Sequence, residues 1–195
     1  MIILDFIKNN WIEIIGASFG LLYLYFEYQA DIKMWLTGII MSTFYTYVFI
    51  DIKFYAFAGI NIYYILAGIY GWVKWYKPND NNDNSEHTII HTPTRLYLPL
   101  LVSICILFAF ISWMLSTFTD SQVVYGDSFI TTLSIVSMWM LAHKYVEQWL
   151  LLVVLNTVST IIYFYQELYP TSIMYFIFAI ASVFGYIKWK RLVIH

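Results

Sequence analysis

The chain is short of charge. Asp, Glu, Lys and Arg make up 11% of its 195 residues, against about 25% in an ordinary soluble domain, and that is the balance of a membrane protein. It has one cysteine, Cys105, so no internal disulfide can form, and with no base beside it in sequence the thiol reads as a small core residue. It has no basic cluster, and a net charge of −2 argues against a nucleic-acid partner. It lacks a phosphate-cradling glycine loop, an HExxH, a Cys-x-x-Cys and a serine nucleophile elbow. Its intramembrane carboxylates are too few and too near the span ends for an acid–base dyad. The expectation is therefore not an enzyme, with no cofactor and no metal. A membrane-embedded enzyme is the distant alternative and would need paired carboxylates or a nucleophile–base pair in the fold. Residues 1–10 have no basic stretch leading to a small-residue cleavage site, so the first span is expected to be retained.

What the chain does have is apolar length. It is 61% hydrophobic and 21% aromatic. Stretches near 11–30, 33–52, 54–73, 96–118, 127–143, 145–166 and 171–189 each approach the ~20 residues that cross a hydrocarbon core as helix. The fold class expected is an all-α integral membrane protein with seven transmembrane helices. The fifth stretch holds Ser128, Thr131, Thr132, Ser134 and Ser137 and is expected to pack inside the bundle. Lys8 and Lys53 are the only basic residues on the N-terminal side of the spans. Lys33, Lys74, Lys77, Arg95, Lys144, Lys188, Lys190 and Arg191 lie on the other. This asymmetry predicts an outside N-terminus and a cytoplasmic C-terminus.

A sentence is written twice. "GWVKWYK" at 71–77 returns as "GYIKWKR" at 185–191, an offset of 114. Sliding 11–77 onto 125–191 pairs Glu13 with Asp127, Trp35 with Trp149, Thr43 with Thr157, Thr46 with Thr160, Gly71 with Gly185, Lys74 with Lys188 and Trp75 with Trp189. The domains expected are a three-helix repeat at 11–77, a flexible cytoplasmic loop at 78–95, a linker helix at 96–118 and a second repeat at 125–191. The single linker restores the orientation that three spans invert. The arrangement predicted is 3+1+3 parallel repeats about a pseudo-twofold axis along the membrane normal, with substrate near mid-membrane between the copies. Gly71 and Gly185 are expected to admit close helix approach, Trp75 and Trp189 to sit at the interface, and the lysines to snorkel to headgroups. Gly16 and Gly20 form a GxxxG that reads as a packing seam.

The stretch "KPNDNNDNSEHTIIHTPTR" from Lys77 to Arg95 is the long polar segment, with Pro78 and Pro93 as breakers. His87 and His91 have a spacing that would serve a metal on a helix, but no further ligand accompanies them, and an exposed loop is the reading favoured. Polar and aromatic side chains recur on common stripes within the spans: Trp149, Asn156 and Tyr163 with Thr160; Trp35, Gly38, Ser42 and Tyr45; Asn61, Tyr64 and Gly68; Tyr175, Phe178 and Ser182. A carboxamide facing lipid is costly, so Asn61 and Asn156 should face the bundle, bonded to another helix or lining a cavity. Glu13 and Asp127 head equivalent spans, either as favourable N-terminal charges or as acids drawing cations to an outer vestibule. Glu27 and Asp51 lie at span ends and are expected to be solvated. A pocket of Tyr and Trp faces edged with amides and hydroxyls suits a flat organic cation. With no Arg or Lys in mid-span, it suits phosphates poorly.

The segments "WIEIIGASFGLLYLYFEY", "INIYYILAGIYGWVKW", "TTLSIVSMWMLAHKYVEQW" and "FGYIKWKR" resemble the PnuC family of bacterial vitamin transporters, most specifically in "KYVEQW" at 144–149 followed by Asn156. The resemblance implies a 3+1+3 helix order, homotrimers, facilitated diffusion of unphosphorylated vitamins, and trapping of the product by a cytoplasmic kinase. Met138, where riboside members carry Gln, and Leu152, where they often have a second Trp, make this version more similar to the PnuT thiamine branch. The leading expectation is thiamine uptake across the bacterial inner membrane, with nicotinamide riboside as the alternative. A non-transporting receptor is a third class. Substrate is expected against Trp35, Ser42, Tyr45, Asn61, Tyr64, Trp149, Asn156, Tyr163 and Tyr175, with Glu13 and Asp127 assisting access.

Overall fold

The fold is given by a computed structural model, which describes residues 18–51, 53, 55–76, 89–119 and 123–193. Seven helices lie among them. Helix α1 is described from 18 to 29. It is followed by α2 (Lys33–Asp51), α3 (Tyr55–Tyr76), a 3-10 turn (Thr94–Leu96), α4 (Tyr97–Phe118), α5 (Val124–Ala142), α6 (Gln148–Tyr165) and α7 (Tyr169–Leu192). The chain divides into two compact units, Met1–His87 and Thr88–His195. Glu13, Gly16 and the start of the first expected span lie outside the described residues.

Among the described residues, four helical stretches are long and apolar enough to cross a membrane: Thr94–Phe118, Val124–Ala142, Gln148–Tyr165 and Thr171–Leu192. Helices α2 and α3, at 19 and 22 residues, have the length. Helix α4 buries only Ile111 and exposes Leu98, Leu101, Ile106, Phe110 and Trp113, an apolar surface suited to lipid. Helix α5 is the most buried of the four, as its hydroxyl-rich sequence predicts. Ser128 and Thr132 are fully enclosed.

The spacing of 114 residues reappears in the backbone. Ala30 and Lys144 (φ 55° and 58°), and Lys53 and Glu167 (both 62°), adopt the left-handed conformation at matching positions. Each ends a helix. Ala30 N–H donates to the Glu27 carbonyl at 3.0 Å and Asp31 N–H to Phe26 at 2.9 Å. The equivalent bonds run from Lys144 to Leu141 at 2.9 Å and from Tyr145 to Met140 at 3.1 Å. Bonds of this pattern satisfy the last carbonyls of a helix and turn the chain back. Lys53 N–H to Ile50 and Glu167 N–H to Phe164 repeat the device at 3.0 and 3.1 Å.

Inside each unit one tryptophan fills a groove opened by one glycine. A Cβ on Gly71 would sit 2.4 Å from the Trp35 ring, and one on Gly185 would sit 2.5 Å from that of Trp149. Trp35 meets Trp75 edge-on at 5.8 Å and 82°, and Trp149 meets Trp189 at 5.7 Å and 81°. The glycines thus act as the sequence predicts. Trp75 and Trp189, expected at the membrane interface, are buried within the protein, at 5% and 0% exposure, because the glycine groove draws the paired indoles inward. Gly20, expected in a packing seam, faces open space within 4 Å.

In the second unit α4 packs on α5, and α6 on α7. Val136, Met140 and Tyr145 form a core against Leu96, Leu100, Ile104, Leu107 and Leu151. The linker helix is therefore built into the second unit. The expected flexible loop at 78–95 is described from residue 89 onward, and there it is docked. Ile89 and Thr92 are buried at 2% and 3% exposure, and Ile90 makes a two-bond bridge with the α5–α6 turn, donating to Lys144 and accepting from Val146, both at 3.1 Å. An apolar residue at 89 and a hydroxyl at 92 give this stretch something to dock with.

Candidate functional site

The second unit gathers most of the predicted residues of α6 and α7 into one polar and aromatic seam. Asn156 Nδ2 donates to Ser182 Oγ at 3.2 Å, and Ser182 Oγ donates to the Phe178 carbonyl at 2.8 Å. Both side chains are buried, at 7% and 1% exposure. Thr160 bonds the Asn156 carbonyl at 2.8 Å, and Ser172 bonds that of Thr160 at 2.9 Å. Two turns along α6, Tyr163 stacks on Tyr175 at 5.2 Å and 24°, and Tyr175 meets Phe178 edge-on at 6.1 Å. Asp127, in the first turn of α5, lies within electrostatic range of Tyr163, whose hydroxyl bonds Tyr175. The predicted acid and the predicted tyrosines thus occupy one end of the seam, with the amide and serine further in. Trp149, on the same stripe, is fully buried and packed on Gly185. Its indole N–H has no hydrogen-bond partner among the described residues.

The first unit carries different chemistry at matching positions. Ser42 stands where Asn156 does and Gly68 where Ser182 does. Ser42 is buried, and its carbonyl accepts from Thr46 at 2.7 Å. Gly68 leaves room for Ile39, whose Cγ1 is 2.8 Å from where a Cβ would stand. Tyr45 stacks on Phe49 at 5.9 Å. Asn61 is buried at 9% exposure and Tyr64 is half-buried. Tyr64 stands in contact with Tyr63 and within electrostatic range of Tyr23. Trp35 has no exposed surface, and its indole N–H also lacks a partner among the described residues. Glu27 does not meet its expectation of a solvated span end. It is 3% exposed, because the turn at Ala30 folds α1 back onto its own unit.

One constellation was not foreseen. Glu147, in the α5–α6 turn, accepts from His91 Nδ1 at 2.6 Å and from Thr92 N–H and Oγ1 at 2.7 and 2.8 Å. Desolvation pushes the Glu147 carboxyl up, but these bonds outweigh it and hold the group below the usual carboxylate value. Burial lowers Lys144 beside it. "KYVEQW" advertised Glu147, but its partners lie 55 and 56 residues away, and no local pattern announces them. His91 is thereby committed to a carboxylate, and His87 lies outside the described residues. No group of three potential metal ligands occurs among the described residues.

Comparison with known proteins agrees with a chain built for transport. The family described as nicotinamide mononucleotide transporter matches residues 10–191. The nicotinamide riboside transporter PnuC of Escherichia coli K12 is 29% identical, over 92% of this chain and 85% of its own. That of Neisseria mucosa is 24% identical over 98% and 76%. The crystal structure of the vitamin B3 transporter PnuC shares the fold, with a TM-score of 0.76 at 23% identity, covering 98% of this chain and 86% of that one. These relatives give the expected thiamine branch no support and favour the riboside alternative; substitutions such as Met138, on which the thiamine expectation rested, are single positions in a match spanning nearly the whole chain. A membrane protein with several apolar helices, matched by the family along nearly its entire length, this chain belongs to the nicotinamide mononucleotide transporter family.

Proposed function

We propose that the chain carries nicotinamide riboside across the bacterial inner membrane by facilitated diffusion. The observation that carries this reading is the α6–α7 seam. A buried amide–hydroxyl pair, Asn156 and Ser182, offers hydrogen bonds to a polar substrate edge, and stacked Tyr163 and Tyr175 offer ring faces to a flat cation. Relatives named as nicotinamide riboside transporters support the choice of a pyridinium riboside. The helices have no Arg or Lys in mid-span: Lys33, Lys74, Lys188, Lys190 and Arg191 all stand in terminal turns or close to them. A phosphate would find no compensating charge there, which favours the riboside over its mononucleotide. An inside-negative potential drives a monocation inward with about 2.3 kcal/mol per 100 mV, so no coupled ion is needed. Phosphorylation by a cytoplasmic kinase would prevent return.

The finer points belong to the same reading. Seven spans in 3+1+3 order, an outside N-terminus, a cytoplasmic C-terminus and a homotrimer are proposed. The repeated turns and the two-against-eight distribution of basic residues support the order and the orientation. Asn61, Tyr64, Ser42 and Tyr45 are proposed as first-unit contributors, and Glu13 and Asp127 as acids on the access route. Trp35 and Trp149, enclosed against their glycines, are proposed to hold the site's shape and to reach substrate only if the seam opens. The test is flux of radiolabelled nicotinamide riboside into proteoliposomes, competed with thiamine and with the mononucleotide. Riboside uptake resisting both competitors is expected. Thiamine uptake insensitive to riboside, or no flux of any of the three, would refute the reading.

A further inference from the structure

We propose that Thr132 of α5 and Ser159 of α6 recognise the two neighbouring hydroxyls of the substrate's ribosyl group; the inference rests on the riboside reading above. Both side chains are fully enclosed, and neither hydroxyl has a hydrogen-bond partner among the described residues. Other hydroxyls of the second unit behave differently. A Ser or Thr in a helix can turn back to the carbonyl four residues earlier, and Ser128, Thr157, Thr160 and Ser182 do so at 2.6, 2.7, 2.8 and 2.8 Å. Thr132 and Ser159 forgo that bond. Each keeps a donor and an acceptor open inside the protein, where an unmade bond is costly and calls for an explanation.

The two stand level in neighbouring helices. α5 and α6 pack together across the short turn at 143–147 and so run antiparallel, and Asp127 of α5 lies within electrostatic range of Tyr163 of α6. From that pair Thr132 is five residues further along α5 and Ser159 four residues back along α6, which at about 1.5 Å of rise per residue leaves them about 1.5 Å apart in depth. Ser159 also stands between Tyr163 and Asn156, about 6 Å from one and about 4.5 Å from the other along the α6 axis. A nucleoside with its ring on the tyrosines would bring its sugar to that level. The two hydroxyls of a vicinal diol each donate and accept, as Thr132 and Ser159 require. The first unit folds without such a pair: at the matching positions stand Ser18, which is exposed, and Tyr45, which stacks on Phe49. The partnerless indoles of Trp35 and Trp149 recur in both units and belong to the shared packing, whereas the enclosed hydroxyl pair does not recur.

The experiment compares uptake of nicotinamide riboside with that of its 2′,3′-dideoxy form, an equally charged compound lacking the diol, in proteoliposomes bearing wild type, Thr132→Val or Ser159→Ala. Melting in detergent without substrate is followed in parallel. The wild type should prefer the riboside, because a site built to bond a hydroxyl rejects the analogue without it. Each variant should lower the riboside-to-dideoxy ratio by about tenfold, which is about 1.4 kcal/mol, and should melt no lower than wild type, since it removes a buried group that bonds nothing. Variants that keep the wild-type ratio overturn the proposal; if they also melt lower, the hydroxyls hold a buried water instead. Failure of either variant to fold overturns it too, because hydroxyls open to a ligand hold nothing together. A wild type that carries both compounds equally refutes the diol contact and leaves riboside transport standing, whereas one that carries neither refutes the transport reading itself.

Discussion

Replacing Gly185 by alanine tests the packing that shapes the site. The added Cβ would fall 2.5 Å from the Trp149 ring, well inside the ~3.5–4.0 Å at which carbon atoms pack comfortably. Trp149 has no exposed surface and its far side meets Trp189, so the ring cannot swing aside without disturbing a second indole. Two effects oppose each other. Alanine gains about 1 kcal/mol of helix propensity over glycine, whereas overpacking a closed core costs about 1–3 kcal/mol. At an approach this short against an aromatic ring the upper end applies, leaving a net loss of about 1–2 kcal/mol, or about 2–8 °C of melting temperature for a chain of this size. Gly71→Ala should cost a similar amount, since its geometry against Trp35 is the same within 0.1 Å for the nearest atom. Gly20→Ala, with nothing within 4 Å, should raise the melting temperature. Trp149→Phe should partly rescue Gly185→Ala by trimming the obstructing ring. Thermal unfolding in detergent reads all four. A Gly185→Ala protein as stable as wild type would refute the reasoning.

Asn156→Leu should weaken riboside binding about tenfold or more, read by quenching of tryptophan fluorescence, with folding largely kept; wild-type affinity would remove Asn156 from the site. Glu147→Ala should speed amide exchange at Ile90 and Val146 about tenfold, since hydrogen bonds to a charged acceptor are worth about 1.5–3 kcal/mol when enclosed and less when part-exposed. Because the folded-state Glu147 value is depressed, its contribution is full above the ordinary carboxylate value of about 4.3 and is lost as pH falls through the folded one. Protection of the Ile90 amide, taken relative to its intrinsic exchange rate, should therefore fall below about pH 4 in wild type and lose that dependence in Glu147→Ala. Glu167→Gly should stabilise by about 0.5–1 kcal/mol, because an exposed residue at φ 62° pays for a conformation glycine adopts freely; a lower melting temperature would contradict that.

The sequence disclosed what depends on periodicity and repetition. Helix content follows from apolar length, and the shared offset predicted that Gly71 and Gly185 would do the same work before either was seen beside a tryptophan. Depth was harder to read. Trp75 and Trp189 look like interfacial anchors because they neighbour lysines, yet the groove cut by each glycine buries them. Glu27 looks solvated because it ends a helix, and only the turn at Ala30 shows what covers it. The docking of 89–93 on Glu147 was illegible for a different reason. Its hydrogen bonds join residues more than fifty positions apart, and no local pattern encodes such a pairing. The substrate branch rested on single substitutions such as Met138, too few to outweigh similarity along the whole chain.

Duplication separates framework from function. Where the two units agree, in the left-handed turns, the glycine–tryptophan grooves and the Thr43 and Thr157 bonds to preceding carbonyls at 2.8 and 2.7 Å, the shared chemistry is what this helical unit needs in order to fold. Where they differ, the fold tolerates both versions, and the difference requires another cause. Asn156 and Ser182 replace Ser42 and Gly68, adding a buried amide and a hydroxyl whose desolvation must be compensated by bonds. Glu27 replaces Leu141, adding a buried acid. Glu147 replaces Lys33, exchanging a surface pair with Asp31 for a carboxylate that ties down the strap at His91 and Thr92. The first two departures add hydrogen-bonding groups beyond what their counterparts carry, whereas the third exchanges one charge for another. On the riboside reading proposed above, a hydroxyl-bearing substrate edge would give the buried Asn156 and Ser182 pair that cause.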